Sequence, residues 1–179
     1  GGPFVERFER AFAGAVEADH AVVCANGTAA LHLAALCLNL GEDDVAIVPT
    51  VTFLASANAF RLVGAQIVFA DVDPETGLMT PDTLDDALRS APARRRRVVV
   101  PVHLGGKCWP PDEIASVARR HHAEIVEDAC HAIGTRYRAS DGREHAVGAC
   151  AASDMTVFSL HPVKTIAMGE GGVITTRDA

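Results

Sequence analysis

The chain has 179 residues, 49% apolar and 22% charged, and its 16 Lys+Arg against 23 Asp+Glu leave a formal charge of -7. That is a globular composition, which excludes a disordered or fibrous chain. The acidic balance argues against nucleic acid as a partner, and no apolar run approaches the ~18 residues that a membrane span needs.

Along the chain, helical and strand patterns alternate. Phe4, Phe8, Phe12 and Val16 recur at helical spacing, so an amphipathic helix opens the chain and ends near Asp19. A short apolar strand at 21–24 follows, and after the turn Asn26-Gly27 the pattern Leu31, Ala34, Ala35, Leu38 reads as a helix closed by Gly41. Strand 45–48 is stopped by Pro49. Next come a helix over 53–63, a strand over 66–70 and a helix over 81–89. Strand 97–102, helix 111–121 and strand 124–127 complete the middle, and further strands are expected at 145–149, 155–160 and 173–176. The basic run Arg94 to Arg97 reads as a solvated loop or helix end.

Apolar strands separated by helices imply βαβ units, hence an α/β fold with a mostly parallel sheet covered by helices on both faces. Ligands bind such sheets at the carboxyl ends of the strands. The five cysteines include no C-x-x-C pair and are odd in number. Neither a disulfide framework nor a metal site is expected, and a reducing cytoplasm fits best. The first residues lack the basic flank and apolar core of a signal peptide.

Three segments at strand ends carry chemistry. In Cys24-Ala25-Asn26-Gly27-Thr28 a glycine turn leads from strand to helix, where first-turn N–H groups and the helix dipole can receive a phosphate. An ordinary Asn cap is the competing reading. The turn matches neither the P-loop nor G-x-G-x-x-G, which disfavours a nucleoside triphosphate or a dinucleotide. In Glu127-Asp128-Ala129-Cys130-His131 two carboxylates end an apolar strand, where a buried charge needs a cation or donors, and an Asp that caps the next turn is the competing reading. Period two points Glu127 away from Asp128 and makes it structural. In Ser159-Leu160-His161-Pro162-Val163-Lys164 a lysine follows an apolar strand by a short loop, so its amine can be partly desolvated and attack a carbonyl carbon, with a merely solvated lysine as the competing reading. A phosphate cup, a carboxylate, a hydroxyl and an amine at the strand ends of one sheet are the parts that hold pyridoxal 5'-phosphate (PLP).

Six motifs in order resemble the DegT/DnrJ/EryC1/StrS family of sugar aminotransferases. They are Asn-Gly-Thr-Ala-Ala-Leu-His-Leu at 26–33, Pro-Thr-Val-Thr-Phe at 49–53, Asp-Val-Asp-Pro-Glu-Thr at 71–76, Val-His-Leu-Gly-Gly at 102–106, Glu-Asp-Ala-Cys-His-Ala-Ile-Gly at 127–134, and Phe-Ser-Leu-His-Pro-Val-Lys at 158–164 with the Gly-Glu-Gly-Gly after it. The last two resemble the UDP-4-amino-4,6-dideoxy-N-acetyl-β-L-altrosamine transaminase branch.

The resemblance implies the large domain of a fold-type I PLP-dependent transferase. Lys164 would bond the cofactor's aldehyde carbon and later shuttle a proton, and Asp128 would pair with the pyridine nitrogen. His131 would sit near the phenolic oxygen, Gly27, Thr28 and Ser159 would hold the phosphate, and Phe53 would stack on the ring. His161 and Glu170 belong to the motif and are candidates for cofactor or substrate contact, whereas His103 reads as a packed histidine beside the site and His32 and Trp109 as packing. The implied reaction moves an amino group from an amino acid, usually L-glutamate, to a keto group of a nucleotide-linked deoxysugar such as a UDP-4-keto-6-deoxy-N-acetylhexosamine. A PLP-dependent sugar dehydratase and a truncated, non-catalytic relative are the alternatives, and a Rossmann-type dehydrogenase is disfavoured. Dehydratase relatives typically carry His at the lysine position, so Lys164 favours transamination. Family members are longer and share the active site across a homodimer. Residues 1–179 therefore read as a fragment, the N-terminal part of the large domain, with the remainder of that domain and a small C-terminal domain outside it.

Overall fold

The computed structural model describes residues 2–93 and 96–178. Its elements are α1 (Pro3–Val16), β1 (His20–Cys24), α2 (Gly27–Cys37), β2 (Val45–Pro49), α3 (Ala55–Leu62), β3 (Gln66–Ala70), α4 (Pro81–Ser90), β4 (Arg97–Val99), α5 (Pro111–Arg120), β5 (Ala123–Asp128), β6 (Arg136–Arg138), β7 (Glu144–Ala146), β8 (Met155–Ser159) and β9 (Gly172–Thr176).

Seven strands form one sheet in the order β1-β9-β8-β5-β4-β2-β3. β3, β2, β4, β5 and β8 run parallel, while β9 lies antiparallel between β8 and β1. The alternation of side chains assigns the two faces. Ala46 and Val48 of β2, Val98 of β4, Val126 and Val157 pack against Ala30, Leu31 and Ala34 of α2 and Ala57 and Phe60 of α3. Val45, Ile47, Val99 and Ile125 point the other way, toward Leu84 and Leu88 of α4 and Ile114 and Val117 of α5. On that second side α1 covers β8, with Phe12 meeting Phe158 edge-on at a ring separation of 5.2 Å. At roughly 1.5–3 kcal/mol per fully buried large apolar side chain, these two layers dominate the stabilisation. Among the described residues no helix is long and apolar enough to cross a membrane.

Several expected boundaries move, each for a local reason. The first helix stops at Val16 because Glu17 turns into the left-handed region (φ 61°). The second ends at Cys37 and is closed by Asn39 (φ 51°), with Leu40 N–H donating to the Ala35 carbonyl, rather than by Gly41. The amide of Gly41 instead donates to the Asp44 carboxylate. Helix α3 starts at Ala55, so Phe53 precedes it on the loop. Strand β4 ends at Val99, and beyond Pro101 only a single bridge joins Val102 to Asp128. The strand expected at 145–149 shortens to Glu144–Ala146 and pairs with β6 in a hairpin outside the main sheet. Arg94 and Arg95 lie outside the described residues. Arg96 and Arg97 are half-buried rather than solvated. The Arg96 guanidinium donates to the carbonyl of Leu38, and Arg97 opens β4.

Candidate active site

The parallel strands end on one rim, and the loops leaving them enclose a cavity of about 370 Å³. Every candidate site residue lines it: Gly27 and Thr28 after β1, Phe53 after β2, Asp128 and His131 at the end of β5, Ser159 at the end of β8, and His161, Lys164 and Glu170 between β8 and β9. His103 and Glu127 are not among them. They are buried, joined Nε2 to Oε2 at 2.9 Å, and the imidazole stacks on Trp109 of the α4/α5 core. The period-two argument for Glu127 accounts for this placement.

The phosphate-cup geometry and the Asn cap coexist. Asn26 Oδ1 accepts from Ala29 N–H at 2.8 Å, which leaves the Gly27 and Thr28 amides ahead of the first intrahelical bond, at the positive end of the dipole. Gly27 has no room for a side chain, since a methyl carbon there would stand 2.8 Å from Ser159 Cβ and 3.1 Å from Cys130 Sγ. Lys164 is set by a turn in which its N–H donates to the His161 carbonyl at 2.9 Å, with Pro162 at the position where proline's fixed φ suits a turn.

Asp128 is 5% exposed, and donors compensate its burial. Cys130 N–H donates to Oδ1 at 3.1 Å, and the hydroxyl of fully buried Ser56 donates to Oδ2 at 2.6 Å. Buried Ser56 and the lining residues Thr52, Val102, Leu104 and Cys130 were not singled out from the sequence. Thr52 adjoins Phe53 in a quoted motif and could have been included on that ground. Ser56 meets Asp128 from 72 positions away, and nothing local marks it.

Burial and the adjacent Asp128 push the Cys130 thiol well above its ordinary value, which makes it a poor nucleophile. His131 is shifted the opposite way. Burial first, then the Lys164 ammonium, lower its pKa from 6.5, with Asp128 opposing. Its Nδ1 accepts from Gly105 N–H at 3.3 Å, so the neutral ring carries its proton on Nε2 and can donate there. Since the unfolded chain binds this proton more readily than the folded one, His131 makes stability fall as pH drops below about 6.5. Denaturation midpoints compared at about pH 8 and about pH 5.5 should fall less in His131→Gln than in the parent, and equal falls would refute this assignment.

Residues 1–179 match the sequence profile of the DegT/DnrJ/EryC1/StrS aminotransferase family. The chain is 42% identical over 178 residues to GDP-perosamine synthase of Caulobacter vibrioides, covering 99% of this chain and 45% of that protein. Among solved structures, S. venezuelae DesV superposes with a TM-score of 0.89 at 36% identity, over 99% of this chain and 45% of DesV. The PLP-form of Spr1654 from Streptococcus pneumoniae gives 0.87 at 29% identity, over 100% of this chain and 47% of that one. The chain thus spans just under half the length of these relatives.

Proposed function

The chain belongs to the DegT/DnrJ/EryC1/StrS aminotransferase family, and from that premise we propose that its cavity binds PLP and that the whole protein transfers an amino group from L-glutamate to the keto group of a nucleotide-linked deoxysugar. The observation that carries this reading is the convergence of Asp128, Lys164 and the Gly27-Thr28 turn on one cavity at the strand ends. The residues fit the cofactor. Gly27, where no Cβ fits, opens the N-terminus of α2 on the cavity, and a buried, hydrogen-bonded carboxylate stands on the same cavity wall.

When bound, PLP supplies an electron sink next to the carbon that gains or loses a proton. The chain's residues do the rest. The Gly27 and Thr28 amides, with the hydroxyls of Thr28 and Ser159, bind the phosphate. Asp128 accepts a hydrogen bond from the pyridine nitrogen and stabilises positive charge there. Phe53, 70% exposed on its loop, covers a ring face, and His131 donates from Nε2 toward the phenolic oxygen. Lys164 would hold the cofactor through its side-chain amine and would carry a proton between substrate and cofactor. His161 and Glu170, 4.0 Å apart at the mouth, contact the sugar substrate. The apolar side chains exposed in the bordering loops, Leu54, Val163, Ile166 and Met168 among them, support a homodimer that covers this rim. Residues 1–179 are then the N-terminal part of the large domain.

The sugar is a 4-keto-6-deoxyhexose nucleotide, with the UDP-linked N-acetyl form first in line from the motif wording and the GDP-linked form next from the perosamine synthase likeness. The full-length protein, given PLP, L-glutamate and a panel of UDP- and GDP-linked 4-keto-6-deoxysugars, should yield an amino sugar and 2-oxoglutarate by mass spectrometry. No amino sugar from any member of the panel would overturn the reading.

A further inference from the structure

The direction of hydrogen bonding around Asp128 can be worked out one bond at a time. A serine hydroxyl has a single proton. In Ser56 that proton goes to Asp128 Oδ2 at 2.6 Å. The 2.7 Å contact between Ser56 Oγ and Thr52 Oγ1 must therefore run the other way, with Thr52 donating and Ser56 accepting. Thr52, on the loop beside Phe53, lines the cavity, whereas Ser56 is fully buried in the first turn of α3. A one-way relay thus runs from the cavity wall through Ser56 to a carboxylate whose other oxygen is held by the Cys130 amide.

Both carboxylate oxygens have a donor from a different element, α3 on one side and the β5 loop on the other. The carboxylate plane is therefore fixed before anything enters the cavity, and the unused lone pairs have a set direction. Ser56 supplies the hydrogen bond to Oδ2, and Thr52 donates in turn to Ser56.

We propose that Ser56 is a positioning residue that aims the Asp128 carboxylate at the ring nitrogen of the cofactor, and that Thr52 fixes the Ser56 hydroxyl for that task. This rests on the PLP reading above. Without Ser56 the carboxylate rotates about its last bond, and the ring N–H meets it less often and at poorer angles.

The test uses the full-length protein with PLP labelled with ¹⁵N in the ring, and reads cofactor affinity by absorbance titration and ring-nitrogen protonation by NMR. Ser56→Ala is expected to weaken PLP binding about tenfold, in line with loss of a hydrogen bond to a charged group, and to move the ¹⁵N resonance toward unprotonated pyridine. Ser56→Thr should restore both, and Thr52→Val should move the resonance the same way by less. A residue that served packing alone would change the melting temperature of the cofactor-free protein and leave the resonance of the bound fraction in place. Parental affinity and resonance in Ser56→Ala would overturn the proposal, and if that variant fails to fold, an unmoved resonance in Thr52→Val does so. A folded parent protein that takes up no PLP would instead sink the PLP reading, and this proposal with it.

Discussion

Replacing Lys164 by alanine is expected to abolish amino transfer while leaving the fold in place, the largest change in activity that any single substitution here should produce. On the proposed reading the amine is the attacking group, and the Cys130 thiol of the same cavity is held protonated by burial and by Asp128. Loss of a nucleophile that acts together with its neighbours costs on the order of 10⁴-fold or more in rate. The fold should survive because Lys164 is half-buried on a loop and its structural bond, to the His161 carbonyl, comes from its backbone. Stability should change by about 0.5 kcal/mol or less. Lys164→Arg separates charge from nucleophilicity, since it keeps a cation that cannot give up its proton. It should be as inactive as the alanine variant. A second readout needs no substrate. The Lys164 charge is one of the causes that lower the His131 pKa, so an NMR titration of His131 in Lys164→Ala should move up toward 6.5. Borohydride reduction of the PLP-loaded parent, followed by peptide mapping, should leave the cofactor on the peptide bearing Lys164. Retained transfer in Lys164→Ala, or a label on another residue, would refute the assignment.

What the sequence reveals of this site follows from where its information is local. The strands announce themselves because parallel strands buried on both faces are apolar throughout, as in Val45-Ala46-Ile47-Val48. Residues just beyond such strands can be placed at one rim without knowing the strand order, which is why Gly27, Asp128, Ser159 and Lys164 could be named in advance. The antiparallel insertion of β9 could not be read, because Val173 to Thr176 has the same apolar pattern whichever way it runs. The short β4 escaped for a different reason. Val98-Val99-Val100 is followed by Pro101, which has no N–H to continue a ladder. Ser56 was illegible because its partner is fixed by the packing of α3 against the sheet, and a serine in the first helical turn reads as an ordinary cap-region residue.

The largest expected effect on folding falls at Gly172, a residue that carries no functional group. It opens β9, paired on one side with Cys24 of β1 and on the other with Ser159 of β8. Its φ is not the left-handed kind, so the need is for space rather than for conformational freedom. A methyl carbon there would lie inside the Asn26 peptide, overlapping its carbonyl carbon and oxygen, and 2.9 Å from Cys24 Sγ. Backbone cannot rotate away as a side chain can. The Asn26 carbonyl accepts the first intrahelical bond of α2 from Ala30 N–H at 3.0 Å, and its side chain caps Ala29. Relief therefore requires either tearing Gly172 from two ladders or moving the Asn26-Gly27 turn that forms the phosphate cup. Gly172→Ala should cost about 3 kcal/mol or more, beyond the ordinary cost of overpacking. Its neighbour supplies the control. At Gly171 the nearest atoms to an added carbon belong to the Leu160 side chain, at 3.2 Å, a contact that a shift of a few tenths of an ångström relieves. Gly171→Ala should cost about 1 kcal/mol. Gly27→Ala, blocked by Ser159 Cβ at 2.8 Å, should fall between the two in stability and still weaken PLP binding, because it alters the cup directly. Urea midpoints for the three variants would rank them, and a Gly172→Ala variant as stable as Gly171→Ala would show that the Asn26 turn can move without cost and does not hold a fixed cradle.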